Sequence, residues 1–446
     1  MSSGLLSNAL SGLNAANTAL SVSGNNVANS ATEGYSRQAI QLATAPGHLN
    51  GVAVSNVDRV VNSFYNDDIW RTSSDLAFYN GLQSYLGYAE ELMGTSSLNF
   101  NDAISQVTGA LNSALAQPES RAYRQEVLSS ADALVNKMSQ INGALADQRG
   151  KLSKEMTQTA SSISYSLRKL ADYNDRIALA VAKGEPTAEL EDNRELLVTQ
   201  LSSYIGIATT NHEDGTLDIS TVNGAPLLIG TKAADLAVNG TDVSLTLGKQ
   251  VFRLTDNIGG SMGGLIAADT EVLQPTVASL NNILSQLSDN VNGVLAQGFD
   301  LNGNPGTPLF SYDANDPLGT FAVSDSVTID SLAFIGGKDD GSGNWVAAGG
   351  IGDNSNIANL IDVFDNQSGD YSLLIGRLAS KSNENQSSVT TAQSLNDNAV
   401  QTRDNLSGVN LDEEASNILY YQQMYQANAK VISTADQTFQ TLLAMF

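Results

Sequence analysis

The stretch "LSGLNAANTALSVSGNNVANSATEGYSRQ", Leu10–Gln38, decides how this chain is read. It belongs to an opening segment, residues 1–32, that holds no Asp, Glu, Lys or Arg, and the first charge is Glu33. The whole chain of 446 residues nevertheless has 47 acidic and 22 basic side chains, a net charge of -25. Leu6, Leu13, Leu20 and Val27 recur every seven residues, with Ala9, Leu10 and Ala16 between them. That period predicts a helix with one apolar stripe. It should stop near Asn29, because Asn tolerates the left-handed conformation at a helix end. Gly34 supplies a turn, and the alternation in "GVAVSNVDRVV" (51–61) predicts extended chain over 35–61.

The other end of the chain answers it. Leu411, Ile418, Tyr425, Ile432, Phe439 and Phe446 stand seven apart, and Ala415, Ala429 and Leu443 each follow one of them by four. This predicts a heptad seam. Ala415 to Ala429 again contains no charge. Taking an ion out of water costs several kcal/mol, whereas amides and hydroxyls are buried cheaply once hydrogen-bonded. Two terminal segments with such long uncharged runs are therefore suited to being enclosed by other subunits.

Between the ends the pattern alternates. Residues 66–203 read as helical, with breaks at Gly94, Gln117–Pro118 and Gly184–Pro186, and 148–183 form one long amphipathic stretch. From Gly206 short β-branched runs separated by Asp-Gly and Asn-Gly turns predict a small antiparallel β unit. "GGSMGG" (259–264) reads as a linker, 265–297 as helix, and 298–370 as a second Gly/Asp/Asn-rich region with strand-like pieces at 319–335. The expected fold is α+β and multidomain: paired terminal helices in a coiled coil, and a long-helix domain with β-rich insertions. The predicted parts are an inner discontinuous unit of 1–60 with 400–446, and a rod-like helical domain of 61–205 with 262–300 and 371–399. A small β domain at 206–261 and a β-rich insertion at 301–370 complete them.

Composition closes several routes. The absence of cysteine excludes disulfides, thiolate nucleophiles and cysteine-held metals. The acidic balance argues against nucleic acid, whose phosphates need Lys and Arg. No run of about 18 apolar residues exists, so membrane insertion is not expected, and the opening residues lack the basic and apolar regions of a secretory leader. His48 and His212 stand apart, with no ligand cluster at metal spacing. "DLNGNPGTPLFS" (300–311) starts like a calcium loop, but Pro305 sits where glycine must turn and Ser311 where a glutamate must close the cage. "GGSMGG" lacks the lysine of a phosphate loop. The acid pairs Glu90–Glu91, Asp339–Asp340 and Glu413–Glu414 read as solvated faces rather than a glycosidase dyad. No catalytic constellation, metal or cofactor is expected.

The two ends also resemble a known family. The Asn25–Asn26–Asn29 run and the Thr32–Glu33–Gly34–Tyr35 turn resemble the N-terminal motif of flagellar rod, hook and hook-associated proteins. The ending "SGVNLDEEASNILYYQQMYQANAKVISTADQTFQTLLAMF" (407–446) is similar to the hook-associated protein 1 family in particular, as is "GGSMGGLIAADTEVLQPTVASLNNILSQLSDNVNGVLAQGFDLNGNPGTPLF" (259–310). The resemblance implies an extracellular structural protein at the hook–filament junction, exported unfolded by the flagellar type III apparatus. It implies partners: further copies in a ring or helical oligomer, the hook protein, hook-associated protein 3, and a cytoplasmic export chaperone on the C-terminal helix. The assembly interface expected on both grounds comprises Leu6, Leu10, Leu13, Leu20, Val27, Asn25, Asn26, Asn29, Gly34 and Tyr35 at one end. Leu411, Ile418, Tyr425, Ile432, Phe439 and Phe446 supply the other. The competing readings are another flagellar axial protein or, from a different class, a secreted wall hydrolase.

Overall fold

The computed structural model describes residues 2–44, 51–94, 98–254 and 257–444; Phe446 and His48 lie outside them. The uncharged opening segment forms α1 (Ser2–Ala28), followed by a hairpin of β1 (Gln38–Thr44) and β2 (Val52–Arg59). A body of long helices comes next: α2 (Ser63–Gly94), α3 (Phe100–Ala116), α4 (Arg121–Lys183) and α5 (Ala188–Tyr204). The breaks fall at Gly94, at Gln117–Pro118 and at Gly184, where the left-handed glycine (φ 70°) caps α4.

α4 is longer than the amphipathic stretch read from 148 onward, because its apolar period already runs through Leu134, Met138, Ile141 and Leu145, all buried. At about 1.5 Å per residue its 63 residues span about 95 Å. Val181, within that stretch, is exposed.

The segment after Gly206 folds as two antiparallel sheets. One is ordered β3 (Ile207–Asn211), β4 (Leu217–Thr221), β5 (Pro226–Ile229), β6 (Lys232–Ala233); the other β7 (Asp235–Asn239), β8 (Asp242–Leu247), β9 (Gln250–Leu254). The fully buried Asn174 of α4 ties the first sheet down. Its Nδ2 donates to the carbonyls of Leu217 (2.8 Å) and Gly230 (2.7 Å), and its Oδ1 accepts from Leu217 N (3.1 Å).

"GGSMGG" is not a linker. It opens α6 (Gly260–Ala267), where Gly263 and Gly264 are buried against α2 and Gly260 against the end of α5; a Cβ on Gly264 would stand 2.4 Å from the Phe78 carbonyl oxygen. Absence of side chains here serves close helix approach, not flexibility. A π-helical turn (268–273) leads into α7 (Gln274–Ala296).

The second region departs further from expectation. Residues 297–354 hold only paired fragments, β10 (Phe310–Ser311) with β11 (Ala322–Val323) and β12 (Gly337–Asp339) with β13 (Trp345–Ala347), plus the short α8 (Pro317–Thr320). The strand-like pieces at 319–335 therefore reduce to β11 and an isolated antiparallel bridge between Ile335 and Phe299. Asx turns, such as the Asp300 carboxylate accepting from Asn302 N and Asn304 N (both 2.8 Å), take the place of sheet ladders. Helix resumes at α9 (Ser355–Ser407), well before residue 370, since Ile357, Leu360 and Phe364 already face the core.

α9 runs antiparallel to α2. Tyr371 donates to the Met93 carbonyl (3.1 Å), Asn385 to that of Tyr79 (2.9 Å), and Thr72 reaches Asn396 (3.2 Å). After a three-residue elbow, α10 (Leu411–Leu443) returns alongside α1. The contiguous apolar core extends from Ile69 to Ala399 and contains no residue of α1 or α10. The terminal pair is thus an appendage with packing of its own.

Candidate functional site: the terminal helix pair and its joint

α1 and α10 run antiparallel, with Gly12 facing Asn428 near the middle of both helices and Arg37, just beyond α1, bonded to Glu413 at the start of α10. The face of α1 that meets its partner is not the leucine stripe. Ala9, Gly12, Ala16, Ala19, Ser23 and Asn26 are buried, a 3–4 spacing of small residues. Small side chains let the two axes approach closely: a Cβ on Gly12 would meet the Asn428 amide oxygen at 2.6 Å.

The leucines fall to either flank. Leu13 and Leu20 are half-buried, while Leu6, Leu10 and Val27, with Leu411, Tyr425 and Phe439 on α10, remain between 38% and 53% exposed. The α10 seam is also rotated from the one expected. Glu414, Tyr421, Asn428 and Ala435 follow the heptad residues by three, not four, and accompany Ile418 and Ile432 toward α1, whereas Ala415 is exposed. A heptad accommodates both spacings, and the small face of α1 selects the one that admits Asn428 and Ala435.

The Asn-rich run closes the pair onto the body. Asn26 is 1% exposed, and its amide is fully committed within the chain. Nδ2 donates to the Gln38 carbonyl (2.9 Å), while Oδ1 accepts from Gln38 N and from the Tyr35 hydroxyl (both 2.9 Å). Asn29 donates through Nδ2 to the Asn25 carbonyl (3.0 Å), capping the helix end. Gly34 holds φ +78° with its α-carbon against Leu196 of α5, the left-handed conformation that glycine adopts without penalty. Asn26 and Tyr35, both counted in the expected assembly interface, bond each other within the chain and hold this joint. Asn25 stays exposed.

Sequence reasoning missed the charged half of this joint. Arg59, at the end of β2, has a side chain 6% exposed and reaches Glu191 (3.0 Å), Asp192 (2.7 Å) and Glu195 (2.6 Å) on α5. Burial works against its charge, but Glu195 and Asp192 outweigh that and hold the guanidinium well above its ordinary value. Asp192 is raised, since burial exceeds the help from Arg59 and Ser36. Glu191 is lowered: burial opposes, but the Thr187 hydroxyl and Arg59 prevail. The only sequence signal was the single Arg in "VSNVDRVV" facing "ELEDNRE" far along the chain.

Between them Ser36 N donates to Asp192 (3.3 Å), Arg37 N to the Ser407 carbonyl (2.8 Å), and Val60 N to the Arg37 carbonyl (2.8 Å). α1, the hairpin, α5 and the α9–α10 elbow therefore meet at residues 35–38. Asn410 caps α10 by accepting from Asp412 N (3.0 Å) and Glu413 N (3.4 Å), and the acids that follow suit the positive end of the helix.

Burial, with the Asp192 and Glu414 carboxylates, pushes the Tyr35 hydroxyl from its ordinary 10 up to about 12. Because the folded value is the higher, the stability this hydroxyl contributes is present below pH 10 and lost as pH rises to 12. Tyr35→Phe should cost about 1 kcal/mol at pH 8, the worth of one hydrogen bond. The gap from the parent protein should close between pH 10 and 12 in denaturant titrations. A gap that persists at high pH would contradict the proton-linked role of Tyr35.

Comparison with known proteins places this arrangement. The family model described as "Flagellar hook-associated protein FlgK helical domain" matches residues 86–310, just over half of the chain. The chain belongs to the FlgK family. A second model, the C-terminal region of flagellar basal body rod FlgEFG proteins, matches residues 400–445, which contain the elbow and α10.

Flagellar hook-associated protein 1 of Salmonella typhimurium strain LT2 is 25% identical over 99% of this chain and 99% of its own length. That of Escherichia coli strain K12 is 24% identical with the same coverage, and that of Bacillus subtilis strain 168 is 24% identical over 95% of this chain and 94% of its own. The solved structure of the flagellar hook junction protein FlgK from Burkholderia pseudomallei superposes with a TM-score of 0.65, covering 78% of this chain and 100% of that one; at 14% identity it speaks for the fold alone. FlgK-family membership makes this chain a structural, non-enzymatic component of the bacterial flagellum at the hook–filament junction, outside the cell. No described helix is long and apolar enough to cross a membrane.

Proposed function

We propose that the α1–α10 pair is the element through which this FlgK-family chain builds the junction, and that its exposed apolar flanks are the assembly surface. The observation that carries this is a contradiction in the isolated chain. Leu6, Leu10, Val27, Leu411, Tyr425 and Phe439 stand exposed on helices whose remaining surface is almost uncharged. Large apolar side chains exposed along both helices mark an interaction site, and uncharged neighbours let them be enclosed without stranding ions.

The occupants we assign are further copies of the chain around the axis, the hook protein on one side and hook-associated protein 3 on the other. An export chaperone covers α10 before assembly. Asn25, Asn29, Gly34 and the stripe positions Leu13, Leu20, Ile418 and Ile432 belong to the same surface or support it. We read residues 1–60 with 400–446 as the assembling unit, 61–205 with 262–300 and 371–399 as the rod-like helical domain, and 206–261 and 301–370 as outer insertions. The onset of α9 at Ser355 supports drawing the end of the last insertion earlier, at 354.

Leu10→Asp and Phe439→Asp, each on an exposed flank, should leave the monomer's circular dichroism and melting unchanged. Filament attachment to isolated hooks should drop at least tenfold. Attachment at the parental level with either variant would refute the assignment.

A further inference from the structure

Beyond the acids that open α10 the terminal pair carries almost no charge, which makes its one cation conspicuous. After Glu414 the only charged residues of α10 are Lys430 and Asp436, and α1 has none. Lys430 is exposed and forms no ion pair among the described residues. On a surface to be enclosed by neighbours, an unpaired ammonium costs several kcal/mol unless a carboxylate meets it.

The joint holds the complementary deficit. A polar cleft of about 980 Å³ opens between the turn at residues 30–35 and the elbow at 403–413. It is lined by Glu33, Asp404, Asp412 and Glu413 against Arg37 and Arg403. Arg37 is taken by Glu413 (2.8 Å) and Arg403 by Asp404 (2.7 Å), which leaves Glu33 and Asp412 without a cation among the described residues. Ser407 also lines the cleft; it is 3% exposed, and its hydroxyl has no hydrogen-bond partner among the described residues. Two free carboxylates around a buried, unpartnered hydroxyl form an acceptor set for an ammonium group.

We propose that this cleft receives Lys430 of a second copy of the chain, locking neighbouring terminal pairs in register. The chain's own Lys430 cannot serve, being eighteen residues along a straight helix from Asp412, about 27 Å. The same figure sets the stagger between the two copies along the pair axis. Gln426, exposed one turn before Lys430, brings an amide oxygen for Arg37 Nε, which is buried in the joint without a partner. The inference rests on the reading that the terminal pair is the assembly surface, and the test separates the two.

The native chain has no cysteine, so single-cysteine variants report cleanly. Full-length Lys430→Cys and Asp412→Cys chains, mixed and assembled on isolated hooks, should crosslink to each other through a short bis-maleimide. Lys430→Glu should cut assembly at least tenfold with an unchanged monomer melting curve. Mixing in Glu33→Lys/Asp412→Lys chains should restore it.

Junctions that support filament growth yet give no crosslink between copies would overturn this pairing while leaving the terminal-pair reading intact. Crosslinks running only to the hook protein or to hook-associated protein 3 would overturn the choice of a second copy. If Leu10→Asp and Phe439→Asp chains assemble normally, the underlying reading fails instead.

Discussion

Arg59→Met is expected to remove about 3–5 kcal/mol of stability at pH 7, the usual cost of deleting one partner from a buried ionic cluster. The reason is not the loss of three attractions but what remains. Glu191, Asp192 and Glu195 lie on one face of α5 within reach of a single guanidinium, and without it three carboxylates repel one another in a largely buried site. The deficit should shrink as pH falls toward 4, where the stranded carboxylates take up protons. Arg59→Lys should recover only part of it, since one ammonium cannot fork to three acids. Denaturant unfolding at pH 7 and pH 4.5 measures both effects. A loss under 1 kcal/mol at pH 7 would show that solvent, not Arg59, neutralises the cluster.

Ending the chain after Asn410 is expected to abolish junction formation while leaving a folded body. Both halves follow from where the packing lies. The core from Ile69 to Ala399 includes nothing from α1 or α10, so removing α10 withdraws no buried apolar residue from it. α1, by contrast, loses the partner against which Ala9, Gly12, Ala16 and Ala19 are packed. A helix of this composition gains its stability mainly from such packing. The truncated protein should therefore melt close to the parent's temperature and show reduced amide protection only in α1. On isolated hooks it should nucleate no filament. Normal filament growth on the truncated chain would remove α10 from the assembly mechanism altogether.

Much of this architecture was legible in the order of residues. The seven-residue repeats located both terminal helices, and the Gly94, Pro118 and Gly184 interruptions marked the ends of α2, α3 and α4 because Pro and Gly act locally. Dense Asx–Gly turns announced β3–β9. What failed were inferences in which one residue type can serve opposite ends. Glycine in "GGSMGG" signals freedom in isolation, yet against Phe78 it permits close contact, and only the tertiary partner decides. The heptad repeat gave helix and period but not rotation, so the buried face of α1 proved to be its alanines and glycine. The Asn run was singled out, but that Asn26 bonds Tyr35 and Gln38 within the chain depends on a turn whose path no spacing encodes. Arg59 and its three acids, separated by more than a hundred residues, left no periodic trace.

The antiparallel pairing of α1 with α10 also orders events in time. Gly12 and Asn428 touch across more than four hundred intervening residues, so α1 has no partner until α10 is in place. A contact of such sequence separation closes late, whereas the α2–α9 body carries its own core and needs neither end. A chain in which α10 has not yet docked therefore cannot present the complete α1–α10 pair, and whatever surface that pair offers arrives only with this late contact.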